Sequence, residues 1–161
     1  MEYNKRNLNG WALPEEAFEW IIKNIPHGST IVELGSGSGT KELVKFYNVF
    51  SVEQNIEWVG KEPKTNYIYA PLKDGWYDES VFDKLPADYS FLLIDGPIGA
   101  DRANFVKHCQ RFKNDVPFLI DDTQRSIDKN MAIEVSKKLD RNIEEIVGHE
   151  KKFIILTIKS Q

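Results

Sequence analysis

A chain of 161 residues with a net charge of −4 and an apolar fraction of 41% has the make-up of one globular domain, residues 1–161, with its own core. The acidic balance provides no general field for nucleic acid or an anionic membrane, and no apolar run is long enough to span a bilayer. Cys109 is the only cysteine, which excludes an internal disulfide and a multi-cysteine zinc site. Met1–Gly10 is polar and unlike a signal peptide, so a reducing, cytoplasmic setting is the simplest expectation.

In chain order, two kinds of segment alternate. Pro14–Ile25 is predicted helical: Phe18, Ile21, Ile22 and Ile25 share one face, and Pro14 suits the first turn. Thr30–Leu34 reads as a short apolar strand. A glycine turn follows at once, then an amphipathic segment from Lys41 to Tyr47. Further strands are expected over Val49–Glu53, Tyr67–Leu72, Tyr89–Asp95 and Val116–Asp121. The connection from Gln54 to Asn66 has room for a single helical turn or none. Asp101–Phe112 groups Phe105, Val106, Cys109 and Phe112, and Asp128–Asp140 groups Met131, Ala132, Val135 and Leu139, so both are expected as helices. Ile143–Val147 and Phe153–Ile158 flank Gly148–Lys152 and read as an edge hairpin, with Lys151 and Lys152 in a solvated turn. Such alternation predicts an α/β fold with a mostly parallel sheet and helices on both faces.

Residues 31–40 are Ile-Val-Glu-Leu-Gly-Ser-Gly-Ser-Gly-Thr. Strand, glycine turn and helix together make a site of the nucleotide type: the backbone turns sharply, approaches a ligand closely and presents helix-start N–H groups. The spacing is Gly-x-Gly-x-Gly, not the Gly-x-Gly-x-x-Gly of dinucleotide binders. An acid, Glu33, precedes the first glycine by two residues. It would repel a pyrophosphate and suits a cationic amino group, as in S-adenosyl-L-methionine (SAM). Glu53, ending the next strand, suits the two hydroxyls of a ribose.

Val-Glu-Leu-Gly-Ser-Gly-Ser-Gly-Thr at 32–40, with Glu53 after it, resembles the first two motifs of the class I SAM-dependent methyltransferases. The resemblance implies a Rossmann-like seven-stranded sheet in the order 3-2-1-4-5-7-6, ending in an antiparallel hairpin. It implies that Glu33, Gly35, Ser36, Gly37 and Gly39 hold the methionine end, that Glu53 holds the ribose, and that Ala70, Pro71 and Leu72 border the adenine.

Ligands of open parallel sheets bind at the carboxyl ends of the strands. Those ends carry Glu33, Glu53, Asp95 and the Asp121–Asp122 pair. Three clustered carboxylates repel unless a cation, a proton or an arginine intervenes, and all-oxygen ligands suit Mg²⁺, Mn²⁺ or Ca²⁺. Asp95 with Asp121–Asp122 is similar to the metal-dependent O-methyltransferases of the catechol type, which implies a Mg²⁺ or Mn²⁺ site and catalysis at those three residues. Ile98 departs from that pattern, which has a lysine base there. The other reading has Asp121 capping a turn, Asp122 paired with Arg125 on the surface, and Asp95 orienting the SAM end or acting alone as base. Asp95-Gly96-Pro97-Ile98-Gly99 lacks the Pro-Pro-aromatic run of the base amino methylases, which argues against nucleic acid as acceptor.

Arg102 and Arg125 follow the fourth and fifth strands. Each is open between gripping an anionic substrate group and pairing with the rim acids. Trp76 and Tyr77 are open between covering the ligand and packing in the core, and Asn9-Gly10-Trp11 between a lid and simple packing. His27, His108 and His149 share no metal spacing. The expected protein is a SAM-dependent methyltransferase of a small-molecule or sugar hydroxyl, a monomer or homodimer without nucleic-acid or membrane partners. The alternatives are an NAD(P)-dependent oxidoreductase and a non-catalytic SAM-binding protein.

Overall fold

The structure, a computed structural model, describes residues 13–149 and 151–160. The Asn9-Gly10-Trp11 segment lies outside them. Seven strands among the described residues form one sheet: β1 (Thr30–Leu34), β2 (Asn48–Glu53), β3 (Asn66–Tyr69), β4 (Leu92–Ile94), β5 (Phe118–Ile120), β6 (Arg141–Val147) and β7 (Lys152–Ile158). Their order is β3-β2-β1-β4-β5-β7-β6. The first five run parallel, and β7 is antiparallel to both β5 and β6. The expected Rossmann-like sheet and its terminal hairpin are therefore present.

β4 and β5 are apolar at every position because both faces are covered, and β1 is apolar but for Thr30 and Glu33. Alternate residues go to opposite layers. Val32, Leu92, Ile94, Phe118 and Ile120 join Phe105, Met131 and Val135 on one face. Ile31, Leu93, Leu119 and Ile155 join Phe18, Ile21 and Leu43 on the other. Helix α1 (Glu15–Asn24) buries Ala17, Phe18 and Ile21, with Glu15 and Glu16 in its first turn and Lys23 in its last, as the helix dipole favours. The Tyr47 hydroxyl is placed to meet its last carbonyls, at 3.1 Å from Ile21 O and 2.9 Å from Ile25 O.

Several expected elements come out differently. The segment from Lys41 is helical only over α2 (Thr40–Leu43), and turns lead on to Tyr47. No helix forms between β2 and β3 among the described residues. The third apolar run divides. Ala70 N–H still donates to Glu53 O at 2.9 Å, but Pro71 has no N–H to continue the ladder. Leu72–Lys73 instead pair with Trp76–Tyr77 in a separate antiparallel ribbon, turned by Asp74 and Gly75 at φ 54° and 79°.

The helix expected over Asp101–Phe112 is three short pieces: a 3₁₀ turn at Gly99–Asn104, α3 (Phe105–His108) and a second 3₁₀ turn at Cys109–Arg111. Three residues per turn put Arg102 and Phe105 on one inward line, and both are buried. Helix α4 (Ser126–Lys138) stops before Asp140, whose φ of 52° turns the chain into β6. That strand starts two residues earlier than expected. Buried Arg141 lies 4.1 Å over the Phe118 ring and donates to the carbonyls of Asn114, Val116 and Leu156. No helix among the described residues is long and apolar enough to cross a membrane.

Candidate functional site

The loop after β1 is held by its own glycine and by two acids behind it. Gly35 has φ +90°, and a Cβ there would stand 2.7 Å from the Asp95 carbonyl oxygen. The chain turns against the end of β4 so closely that only glycine fits. Glu53 pins the loop from β2: Oε1 accepts from Ser36 N–H at 2.9 Å and Oε2 from Asn55 N–H at 2.7 Å. Glu33 sits under the loop, where its Oε1 accepts from the Thr40 hydroxyl at 2.5 Å and the Ser51 hydroxyl at 2.7 Å. Thr40 Oγ1 in turn accepts from Gly37 N–H at 3.2 Å.

Burial pushes the Glu33 carboxyl up from 4.5 to about 7, and the two hydroxyl hydrogen bonds only partly oppose it. A carboxyl whose pKa is higher folded than unfolded stabilises fully below its unfolded value. That contribution is lost as pH rises through the folded value. From 4.5 to about 7 the difference is worth roughly 3 kcal/mol. Urea unfolding at pH 5 and pH 8 is therefore expected to show wild type weakening towards pH 8, and Glu33→Gln, which keeps the other raised carboxyls Asp95 and Asp121, weakening less by Glu33's share. Equal slopes for both proteins would contradict this.

Across the loop stands the acidic rim. Asp95 follows β4 directly, and Asp121 and Asp122 follow β5. One carboxylate oxygen of each lies within 4.8 Å of the others. Asp121 is fully buried, and neither of its oxygens has a hydrogen-bond partner among the described residues. Burial, then Asp95, then Asp122 hold its pKa well above the carboxylate range. Burial also raises Asp95, and the nearby Arg102 offsets only part of the effect. Asp122 goes the other way. Against its burial, the Arg102 hydrogen bond and the Lys151 charge keep it below the usual value. Its φ of 61° is left-handed, a conformation that aspartate adopts more readily than most residues with a side chain.

Two protein cations serve this rim. Buried Arg102 donates from Nη1 to Asp122 Oδ2 at 2.8 Å, from Nη2 to Asp95 O at 3.1 Å and from Nε to Pro97 O at 3.3 Å. Its fork is thus spent on the rim, which is the ion-pair reading of this arginine. Lys151 Nζ lies 3.3 Å from Asp122 Oδ1 and 3.7 Å from Asp121 Oδ2, with the side chain 13% exposed. The expectation of a solvated turn at Lys151 is wrong. The hairpin folds back because Thr123 N–H donates to Lys152 O at 3.0 Å and Lys152 N–H to Gln124 Oε1 at 3.1 Å. Asp122 takes Arg102 and Lys151 as its close partners. Arg125 instead donates to Asp128 at 2.6 Å and lies 3.9 Å from Asp122.

Between loop and rim lies a cavity of about 670 Å³. Gly35, Ser36, Gly37 and Glu53 line one side, and Asp95, Arg102, Asp122, Arg125 and Lys151 the other. Several expected residues stand elsewhere. Glu33 is behind the loop. A Cβ on Gly39 would stand 3.3 Å from the Phe18 ring, so Gly39 serves helix packing. Ala70 is buried in the core, Pro71 and Leu72 are exposed, and none of the three lines the cavity.

Gln54, Asn55 and Trp58 line it in their place. Trp58 is 39% exposed, with Lys61 Nζ 4.3 Å from its ring centroid. Position directly after Glu53 was the available sequence clue to this trio. Trp76 and Tyr77 are core residues, and Trp76 stacks on His108, whose Nδ1 is 2.5 Å from Glu79 Oε1. His27 packs against Phe46 and Tyr47.

Three carboxylates are the donor set a hard divalent cation takes. The rim as built, however, already has Arg102 on one side and Lys151 on the other. A divalent ion bound to Asp121 and Asp122 at the usual 2.0–2.6 Å would crowd the ammonium with like charge. The residues do not fit a resident metal ion while Lys151 keeps this place.

No protein-family model matches the sequence, and no curated protein does. Solved structures do resemble it. The ribosomal protein L11 methylase of Lactobacillus delbrueckii subsp. bulgaricus is 10% identical with a TM-score of 0.64, over 91% of this chain and 78% of that one. The magnesium protoporphyrin IX methyltransferase of Synechocystis PCC 6803, solved with bound SAM, is 10% identical with a TM-score of 0.52, over 96% and 85%. A Staphylococcus aureus protein described as a caffeoyl-CoA O-methyltransferase is 13% identical with a TM-score of 0.60, over 96% and 85%. The chain has the fold of the class I SAM-dependent methyltransferases.

Proposed function

We propose that this protein is a SAM-dependent methyltransferase acting on a hydroxyl of a small molecule or sugar. The observation that supports it most is one cavity walled by both halves of such a site: the glycine loop with Glu53, and the acidic rim at the neighbouring strand ends. SAM would supply a methyl group on a sulfonium leaving group. Gly35 to Gly37 allow its close approach. Glu53, already oriented by two backbone N–H groups, keeps acceptor capacity for ribose hydroxyls. Trp58 offers an aromatic face to the adenine, the part that Ala70 to Leu72 were expected to play.

The chain's own residues then handle the acceptor. A hydroxyl is a weak nucleophile until its proton is held or removed. Asp95 lines the cavity with its carboxyl raised towards neutral pH, which suits a base for that proton. Arg102 holds the Asp122 carboxylate and the Asp95 carbonyl by hydrogen bonds and lies 3.6 Å from the Asp95 carboxylate. Gln124 and Arg125 line the same wall and suit polar or anionic groups on the acceptor. The Gly-x-Gly-x-Gly spacing of the loop favours SAM over NAD(P), while Glu53 suits the ribose of either.

The test is transfer of labelled methyl from SAM to a panel of hydroxyl compounds. Asp95→Asn is expected to lower transfer about 100-fold or more while S-adenosylhomocysteine binding stays near wild type. Unchanged transfer in that variant would remove Asp95 as the base. No transfer by wild type to any hydroxyl, with the nucleoside still bound, would favour the non-catalytic binder.

A further inference from the structure

We propose that Lys151, brought in by the β6–β7 hairpin, is the resident cation of the acidic rim and stands where a divalent metal ion would otherwise bind. The inference rests on the methyltransferase reading only for its purpose; the geometry stands apart from it. The ammonium lies 3.3 Å from Asp122 Oδ1 and 3.7 Å from Asp121 Oδ2, and its side chain is mostly covered. Those carboxylates belong to the same cluster whose oxygens lie within 4.8 Å of one another. Asp121 has no hydrogen-bond donor on either oxygen among the described residues, so its only charge partner within ion-pair distance there is this lysine.

The backbone holds Lys151 to the task. Gly148 N–H donates to Lys151 O at 2.8 Å, Thr123 N–H to Lys152 O at 3.0 Å, and His149 N–H to Glu16 Oε1 at 3.1 Å. The hairpin is thereby fastened both to the loop after β5 and to α1. Arg102 compensates Asp95 and Asp122 from beneath, and Lys151 compensates Asp121 and Asp122 from the cavity side. Lys151 thus acts as a positioning residue. It keeps three acids together without a metal and presents ammonium N–H donors towards the cavity, where a metal would otherwise fix an acceptor oxygen.

Mn²⁺ binding, followed by electron paramagnetic resonance at fixed ionic strength, tests this without any need for methyl transfer. Wild type and Lys151→Arg are expected to show no Mn²⁺ uptake at the rim. Lys151→Met, which keeps the bulk and removes the charge, should bind Mn²⁺ about tenfold or more tightly than wild type, and adding Asp121→Asn should abolish the gain. Uptake by wild type that Asp121→Asn removes would overturn the proposal, and so would a Lys151→Met protein that binds no better than wild type. If Lys151→Met does not fold, Lys151→Gln replaces it, and the wild-type and Asp121→Asn arms decide by themselves. Failure of the methyl-transfer assay leaves this result untouched, so the two readings fail separately.

Discussion

Gly35→Ala is expected to cost about 3–5 kcal/mol of stability and to abolish binding of S-adenosylhomocysteine. Two effects add. The residue has φ +90°, which an L side chain rarely adopts. The new methyl would also lie 2.7 Å from the Asp95 carbonyl oxygen and 2.9 Å from its carbon, and both atoms belong to backbone packed under the rim. Loop and rim would have to part, and the cavity is the space between them. Gly37→Ala is the internal control. A Cβ there meets nothing within 4 Å, so a loss below about 1 kcal/mol is expected. Urea unfolding of both variants checks the contrast, and equal losses would mean that Gly35 does not join loop to rim as described.

Arg102→Met is expected to cost about 3–5 kcal/mol at neutral pH, the usual result of removing one partner from a buried ion pair. Its guanidinium serves Asp122, Asp95 and Pro97 at once, and methionine fills much of the volume while meeting none of them. The pH dependence separates charge from packing. Arg102 helps to hold Asp122 below its ordinary value. A group depressed in this way stabilises above its unfolded pKa, and the contribution disappears as pH falls through the folded value. The gap between wild type and variant should therefore be wide at neutral pH and narrow once Asp122 is protonated in acid. A gap independent of pH would show that lost packing, not lost charge, is what the variant reports.

Much of the fold was legible because the physics was local or periodic. β4 and β5 are apolar along their length, which a sheet covered on both faces requires, β1 and β2 are apolar but for the polar residues that serve the site and the strand starts, and α1 carries its buried stripe at helical spacing. Gly35 was legible as a turn, though not as the point of contact with Asp95. The misses are tertiary. Arg102 enters the interior on a 3₁₀ turn, which no helical periodicity shows. Pro71 ends the third strand's pairing and moves Leu72 away from the site.

Lys151 is the instructive case. Read along the chain, two lysines in a hairpin are a solvated turn. Read through the sheet order, β7 runs antiparallel beside β5 with Ile120 opposite Ile154. The start of β7 must then lie next to the end of β5, where Asp121 and Asp122 stand. Glu33 was legible as an acid at the site. Which side of the loop its carboxyl would take depended on Thr40 and Ser51, two hydroxyls on different elements.

The most direct test of the central claim is a calorimetric titration of the wild-type protein with S-adenosylhomocysteine and, separately, with NADH. Saturable micromolar binding of the first and no heat from the second is the predicted result, because the loop keeps the Gly-x-Gly-x-Gly spacing and not that of the dinucleotide binders. Saturable binding of NADH with none of S-adenosylhomocysteine would contradict it.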